Sequence, residues 1–159
     1  MNESKVRLPF KNSFDVIHIG IDPGTTRIGL AYLLPRSNEA HAYEAISERN
    51  PDPIERISEV ARLLSTVIHY YTVPTFCVIE GASFGNPYRQ VELGEFRAAA
   101  VLWCKSKSII PRMVAPLMIR KTVFGSGKIK AEDTWPELPG DAASALACAI
   151  CSMKMEELK

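Results

Sequence analysis

No apolar run in this chain approaches the length of a membrane-spanning helix, and the opening MNESKVRLPFKNS lacks the apolar core of a secretion signal. These absences predict a protein without a membrane segment in a reducing compartment, the cytoplasm by default. Histidine is scarce: His18, His41 and His69 are the three, and none stands at metal-ligand spacing from the cysteines, so no zinc site is indicated. Four cysteines do not make a disulfide framework in a domain of this size. Cys148 and Cys151 form a C-x-x-C, but inside the alanine-rich ACAICSM, where they read as small core residues. Repeats and low-complexity tracts are absent too. One further absence is local: from Lys105 to Lys130 there is no acidic residue, against seven basic ones (Lys105, Lys107, Arg112, Arg120, Lys121, Lys128 and Lys130). In a chain whose net charge is +1, such a block indicates either an anionic, phosphate-rich partner or a solvated basic face.

What is present suits one compact domain: 159 residues, 47% of them apolar and 23% charged. Residues 1–14 are polar without periodicity and read as a flexible leader, leaving 15–155 as the domain. VIHIGI (16–21) is a β-branched run and reads as a buried strand; IGLAYLL (28–34) and AHAYEAI (40–46) read as the next two. The period then changes. Asp52-Pro53-x-Glu55 has the form of an N-cap, a first-turn proline and a capping-box glutamate, and apolar residues follow at helical spacing from Ile54 to Tyr71. FCVIE (76–80) reads as a fourth strand, 91–107 as a helix exposing Glu92 and Glu95, PRMVAP (111–116) as a fifth strand and 142–151 as a final helix. The order β-β-β-α-β-α-β-α predicts an α/β domain, a mixed five-stranded sheet flanked by helices.

Three acids stand apart in this layout. Asp22 ends the first strand in IGIDPGTT, although aspartate is a poor strand former. Glu80 ends the fourth strand, directly before Gly81, and Asp141 opens the last helix after Pro139-Gly140. Taken singly, Asp22 reads as a turn residue and Asp141 as an N-cap. If the first and fourth strands are neighbours, Asp22 and Glu80 lie side by side at the sheet edge where α/β folds place ligands. Converging carboxylates repel unless protonated or bridged by a cation, and oxygen-rich sites favour Mg²⁺ or Mn²⁺. Beside a phosphate-seeking segment, the chemistry indicated is metal-assisted phosphodiester hydrolysis by two ions, which needs no protein nucleophile.

Four stretches in order, IGIDPGTTRIGLAY (19–32), VIEGASFG (78–85), IRKTVFGSGKIK (119–130) and GDAASALACAI (140–150), make the chain resemble the RuvC-like Holliday junction resolvases of the ribonuclease H-like superfamily. Its shortness, the EGASFG form and the lengthened leader look more like the phage-type branch, which would place it in a host cytoplasm. The resemblance implies a ribonuclease H-like fold and a homodimer that cuts branched DNA such as four-way junctions, with the helix from Val91 to Lys107 as the interface. It implies catalytic and metal-binding roles for Asp22, Glu80 and Asp141, with Mg²⁺ or Mn²⁺ as a pair of ions. It assigns DNA contacts to Arg120, Lys121, Lys128 and, more loosely, Lys130, with Phe84 set against an unstacked base and Arg89 as a phosphate contact.

One position departs from the family pattern. Where a second acid is expected at i+3 from Asp141 the chain has Ser144, a neutral and weak ligand able to act through a water. Two readings follow: a working site on three acids, or a branched-DNA-binding protein impaired in cleavage. IGIDPGTT also resembles the phosphate turn of sugar kinases and actin-like ATPases, but 159 residues do not supply the two domains those folds need. The YqgF group shares the opening but lacks EGASFG and the FGSGKIK loop.

Overall fold

The structure is a computed structural model and describes residues 2–46, 52–67, 75–82 and 87–158. Six strands, β1 (Asn2–Arg7), β2 (Ile17–Pro23), β3 (Arg27–Leu33), β4 (Glu39–Ile46), β5 (Thr75–Glu80) and β6 (Ile110–Val114), form one sheet in the order β1-β4-β3-β2-β5-β6. Five helices accompany them: α1 (Pro53–Val67), α2 (Pro87–Ser106), α3 (Pro116–Phe124), α4 (Ala131–Thr134) and α5 (Gly140–Glu157). β2 runs antiparallel to β3 and parallel to β5, so the central strand pairs a hairpin partner with a crossover partner. None of the described helices is long and apolar enough to cross a membrane.

The three-strand meander and the strand–helix alternation of the sequence reading are present, with corrections. Among the described residues the sheet has six strands rather than five. Residues 2–7 do not form a flexible leader: they pair with β4 along the edge of the sheet. Val6 and Leu8 are buried, and Glu3 accepts hydrogen bonds from His41 and from the Tyr43 hydroxyl. Edge strands face a partner on one side alone, so a polar composition survives there and hides the strand. IRKTVF, to which the sequence assigns no element, is most of α3. Its short span buries Ile119 alone, too little to make a helical period visible, although Pro116 at its start and Gly125 at φ +73° mark both ends. Asp52 caps α1 as expected, its side chain accepting the Ile54 N–H at 2.8 Å. The expected continuation of α1 to Tyr71 lies outside the described residues. Glu95 is not simply exposed, since it accepts a 2.7 Å bond from Arg56.

α5 packs on one face of the sheet, with α3 and α4 beside it, and α1 and α2 cover the other. Alternation along the strands sorts the side chains. Ile17, Ile19 and Ile21 of β2 face α1 and α2, whereas Gly20 and Asp22 face α5. The residues under α5 are small: Gly20, Gly29, Ala31 and Ala42 on the strands, Ala145 and Ala149 on the helix. A Cβ on Gly20 would collide with the Ala145 carbonyl, and one on Gly29 with the carbonyl of Asp141. The backbone of α5 therefore rests directly on the strands, which fixes its first turn over the carboxyl end of β2. Cys77, Cys104, Cys148 and Cys151 are free and buried, in keeping with a core role.

Candidate active site

Asp22 sits on the last turn of pleat in β2. Ile21 pairs with Ile79 of the parallel strand β5, so Asp22 and Glu80 come abreast at the ends of neighbouring strands and on the same face. Asp141 joins them from above because Gly29, opposite Asp22 in the β2–β3 register, leaves room for the first turn of α5. Asp141 lies inside that turn rather than at the N-cap, which is Pro139, and no side chain caps the helix. Its carboxylate is thus not consumed in capping. The three acids are each half-buried.

Their electrostatics follow from that placement. Burial, then the charges of Glu80 and Asp141, push the Asp22 carboxyl well above its ordinary range, while a hydrogen bond from Ser144 and the charge of Arg97 draw it back. Glu80 is raised by burial and by Asp141, against the opposing pull of Arg120 and Arg97. Asp141 is raised by burial, then by Glu44, against Arg27, and by Glu132. Three carboxyls that all resist ionisation share a deficit of positive charge. Among the described residues no group of three His, Cys, Asp or Glu side chains already stands in coordinating geometry. The donor set nevertheless suits a hard cation: its oxygens are carboxylate oxygens, and a divalent ion would remove the repulsion that raises them.

Ser144, one turn along α5 from Asp141, faces Asp22 and donates to it. The charge of Arg120 on α3 bears on Glu80, so the acid-free segment passes near the carboxylates. Lys121 is exposed on the same helix. Lys128 and Lys130 are exposed in the turn beyond it, where Lys130 stands 3.3 Å from Glu132. Gly127 packs so closely on Leu117 that a Cβ there would collide with it, which folds this turn back onto α3. Phe84 lies outside the described residues, and Arg89 is placed on the first turn of α2.

Two residues escaped the sequence reading. Arg97 of α2 donates to the backbone carbonyls of Glu80 and Gly81, both at 3.1 Å, and so fixes the strand end that carries Glu80. Nothing in the sequence marks a bond from a helix to a backbone carbonyl. Glu44 of β4 is opposite Gly29 in the β3–β4 register and shares the α5 face with Ala40 and Ala42. The alternation of AHAYEAI carried that signal, a glutamate in phase with two alanines at inward positions.

The sequence profile of the family described as "Crossover junction endodeoxyribonuclease RuvC" matches residues 18–152. Two proteins of that name are similar along nearly their whole length. The one from Lawsonia intracellularis is 26% identical over 154 residues, covering 89% of this chain and 92% of that protein. The one from Petrotoga mobilis is 28% identical over 152 residues, covering 86% and 92%. Among solved structures, RuvC of Thermus thermophilus superposes with a TM-score of 0.73 at 17% identity, covering 89% of this chain and 96% of that one. A second structure, described as T. thermophilus RuvC in complex with Holliday junction substrate, gives 0.71 at 16% identity. The sheet carrying Asp22 and Glu80 is therefore a ribonuclease H-like sheet, and the chain belongs to the crossover junction endodeoxyribonuclease RuvC family.

Proposed function

We propose that this protein is a divalent-metal-dependent endonuclease that cuts phosphodiester bonds in branched DNA, four-way junctions in particular. One observation carries the reading: Asp22 and Glu80 end neighbouring strands with Asp141 of α5 set over them, their carboxyls are raised, and the charge of Arg120 in the basic segment bears on Glu80. Relatives named crossover junction endodeoxyribonucleases, and the junction complex of the Thermus protein, support the substrate. Asp22, Glu80 and Asp141, with Ser144 through a water, would hold Mg²⁺ or Mn²⁺ as a pair of ions. When bound, these ions supply a nucleophilic hydroxide and charge to stabilise the leaving oxygen.

The remaining work falls to the chain itself. Asp22 and Glu80 stay in place because their strands are hydrogen-bonded neighbours and Arg97 holds the Glu80–Gly81 backbone. Ser144 orients the Asp22 carboxyl by its hydrogen bond. Arg120, Lys121, Lys128 and Lys130 set the phosphate backbone beside the carboxylates, and the family resemblance assigns further DNA contacts to Arg89 and Phe84. Phosphate contacts of this kind position a duplex without reading its sequence.

A junction has several strands to cut, and the homodimer implied by the family resemblance answers that need. Val91 and Leu102, both 67% exposed, lie eleven residues apart on α2 and so share one helical face. That apolar face supports α2 as the interface. The test is nicking of a synthetic four-way junction in Mn²⁺ by the native protein and by Asp22→Asn. Native cutting with none in the variant supports the reading. Tight junction binding with no product under either ion would instead favour the binding-protein alternative raised by Ser144.

A further inference from the structure

We propose that Glu44 is the fourth carboxylate of this site, reaching Asp141 across the gap left by Gly29 and supplying the ligand that Ser144 cannot. The proposal rests on the metal-nuclease reading above and deepens it. Glu44, Gly29 and Asp22 form one cross-strand row, and Ile79 pairing with Ile21 brings Glu80 into line with it. All point toward α5. Neighbouring strands are about 4.8 Å apart, so a glutamate two strands from Asp22 spans most of the distance to the helix turn between them. That turn is the first of α5, whose Asp141 carbonyl rests on Gly29. Asp141 thus stands between Asp22 on one side and Glu44 on the other.

Two observations show that Glu44 is not a spent structural side chain. It is about nine-tenths buried, with 10% of its side chain exposed, and its Oε1 is buried without accepting any hydrogen bond. A buried charge in that condition costs stability unless something binds it. Among the described residues that same Oε1 has one ion-pair contact, Arg27 Nη1 at 3.5 Å, beyond hydrogen-bonding geometry and from a side chain 56% exposed. The charge of Glu44 also falls on Asp141 more heavily than that of any other group. A buried, unsatisfied carboxylate beside a metal-ligand candidate is in position to complete a cation's oxygen shell. Arg27 is then the countercharge that a cation displaces.

Mn²⁺ titration of the DNA-free protein, followed by loss of the free-ion electron paramagnetic resonance signal, tests this without reference to cutting. Glu44→Gln is expected to weaken Mn²⁺ binding by about tenfold or more, and Glu44→Asp, which keeps the charge but withdraws its oxygens, to weaken it comparably. Glu132→Gln, at the exposed acid that also bears on Asp141, is expected to change it less than about twofold. Ser144→Asp added to Glu44→Gln is expected to recover most of the loss. Metal-free Glu44→Gln is expected to melt no earlier than the native protein. Equal losses in Glu44→Gln and Glu132→Gln, or an unchanged Glu44→Asp, reduce Glu44 to a remote charge and overturn the proposal. Earlier melting of metal-free Glu44→Gln assigns it a structural pairing with Arg27 and overturns it as well. Asp22→Asn separates the two levels. If it loses Mn²⁺ while Glu44→Gln keeps it, the Glu44 proposal alone fails; if it keeps Mn²⁺, the metal-nuclease reading fails first.

Discussion

At the scale of single residues, the chemistry rests on carboxylates held where carboxylates resist being. Asp22 could be singled out in the sequence because a strand that ends on aspartate in the midst of Ile19 and Ile21 needs a reason. Glu80 repeated the pattern, and Asp141 followed a helix-starting Pro-Gly. Ser144 was legible only against the family pattern, which expects an acid at i+3 from Asp141. Glu44 was overlooked, because a glutamate in a strand ordinarily marks the solvent side; alternation puts it in phase with Ala42, and the register shows that this face lies under α5. The raised carboxyl of Asp22 has a consequence for stability. The native state holds that proton more tightly than the unfolded chain, so ionising it costs stability at pH above the ordinary carboxyl value of 3.8. Asp22→Asn, which removes the charge, should therefore raise the Tm of metal-free protein at neutral pH. It should leave the Tm nearly unchanged at about pH 3, where the unfolded carboxyl is already protonated. Thermal unfolding in chelator at the two pH values checks this, and a lower Tm at neutral pH would show that the repulsion does not exist.

At the scale of elements, the site depends on how closely α5 approaches the sheet. Pattern reading found the helix and its apolar composition. It did not find that Gly20 and Gly29 let the helix backbone rest on β2 and β3, since closeness between elements leaves no local period. Gly29→Ala forces the Asp141 turn outward and should cost about 3 kcal/mol or more in urea unfolding. It should also weaken Mn²⁺ binding by displacing Asp141. A loss in stability without any change in Mn²⁺ affinity would separate the packing from the site. The far end of the same contact holds His18, fully buried between Phe14 and Phe76, with Nδ1 3.2 Å from the Ser152 hydroxyl. Burial lowers its pKa from 6.5 to about 4. The unfolded chain therefore takes up a proton before the native protein does. Stability contributed by neutral His18 should be intact above pH 6.5 and be lost as pH falls toward about 4. The loss is on the order of 3 kcal/mol, at about 1.4 kcal/mol per pH unit. Urea unfolding across that range should show the slope in native protein and a shallower one in His18→Gln. β1 and α3 escaped the sequence for the opposite reason to α5: one is a polar edge, the other too brief for its single buried residue to repeat.

At the scale of the whole molecule, a net charge of +1 conceals a division of labour. The acids gather at the end of β2 and the bases line the path from α3 to the turn at Lys128. Part of the basic block is already engaged, since Arg112 pairs with Glu156 at 2.8 Å and Lys130 with Glu132. Lys121 and Lys128 have no such pairing among the described contacts and should carry the electrostatic share of DNA binding. Lys121→Ala and Lys128→Ala together should reduce the slope of log affinity against log salt by roughly 1–2, alike for different junction sequences. Fluorescence anisotropy at several salt concentrations measures it. An unchanged slope would return the block to an ordinary solvated surface. The measurement closest to the central claim is cleavage of a labelled four-way junction in Mn²⁺, with native protein and Asp22→Asn at matched junction occupancy. Paired nicks are expected from the native protein and none from the variant while binding persists. Cutting by Asp22→Asn at the native rate would contradict that claim.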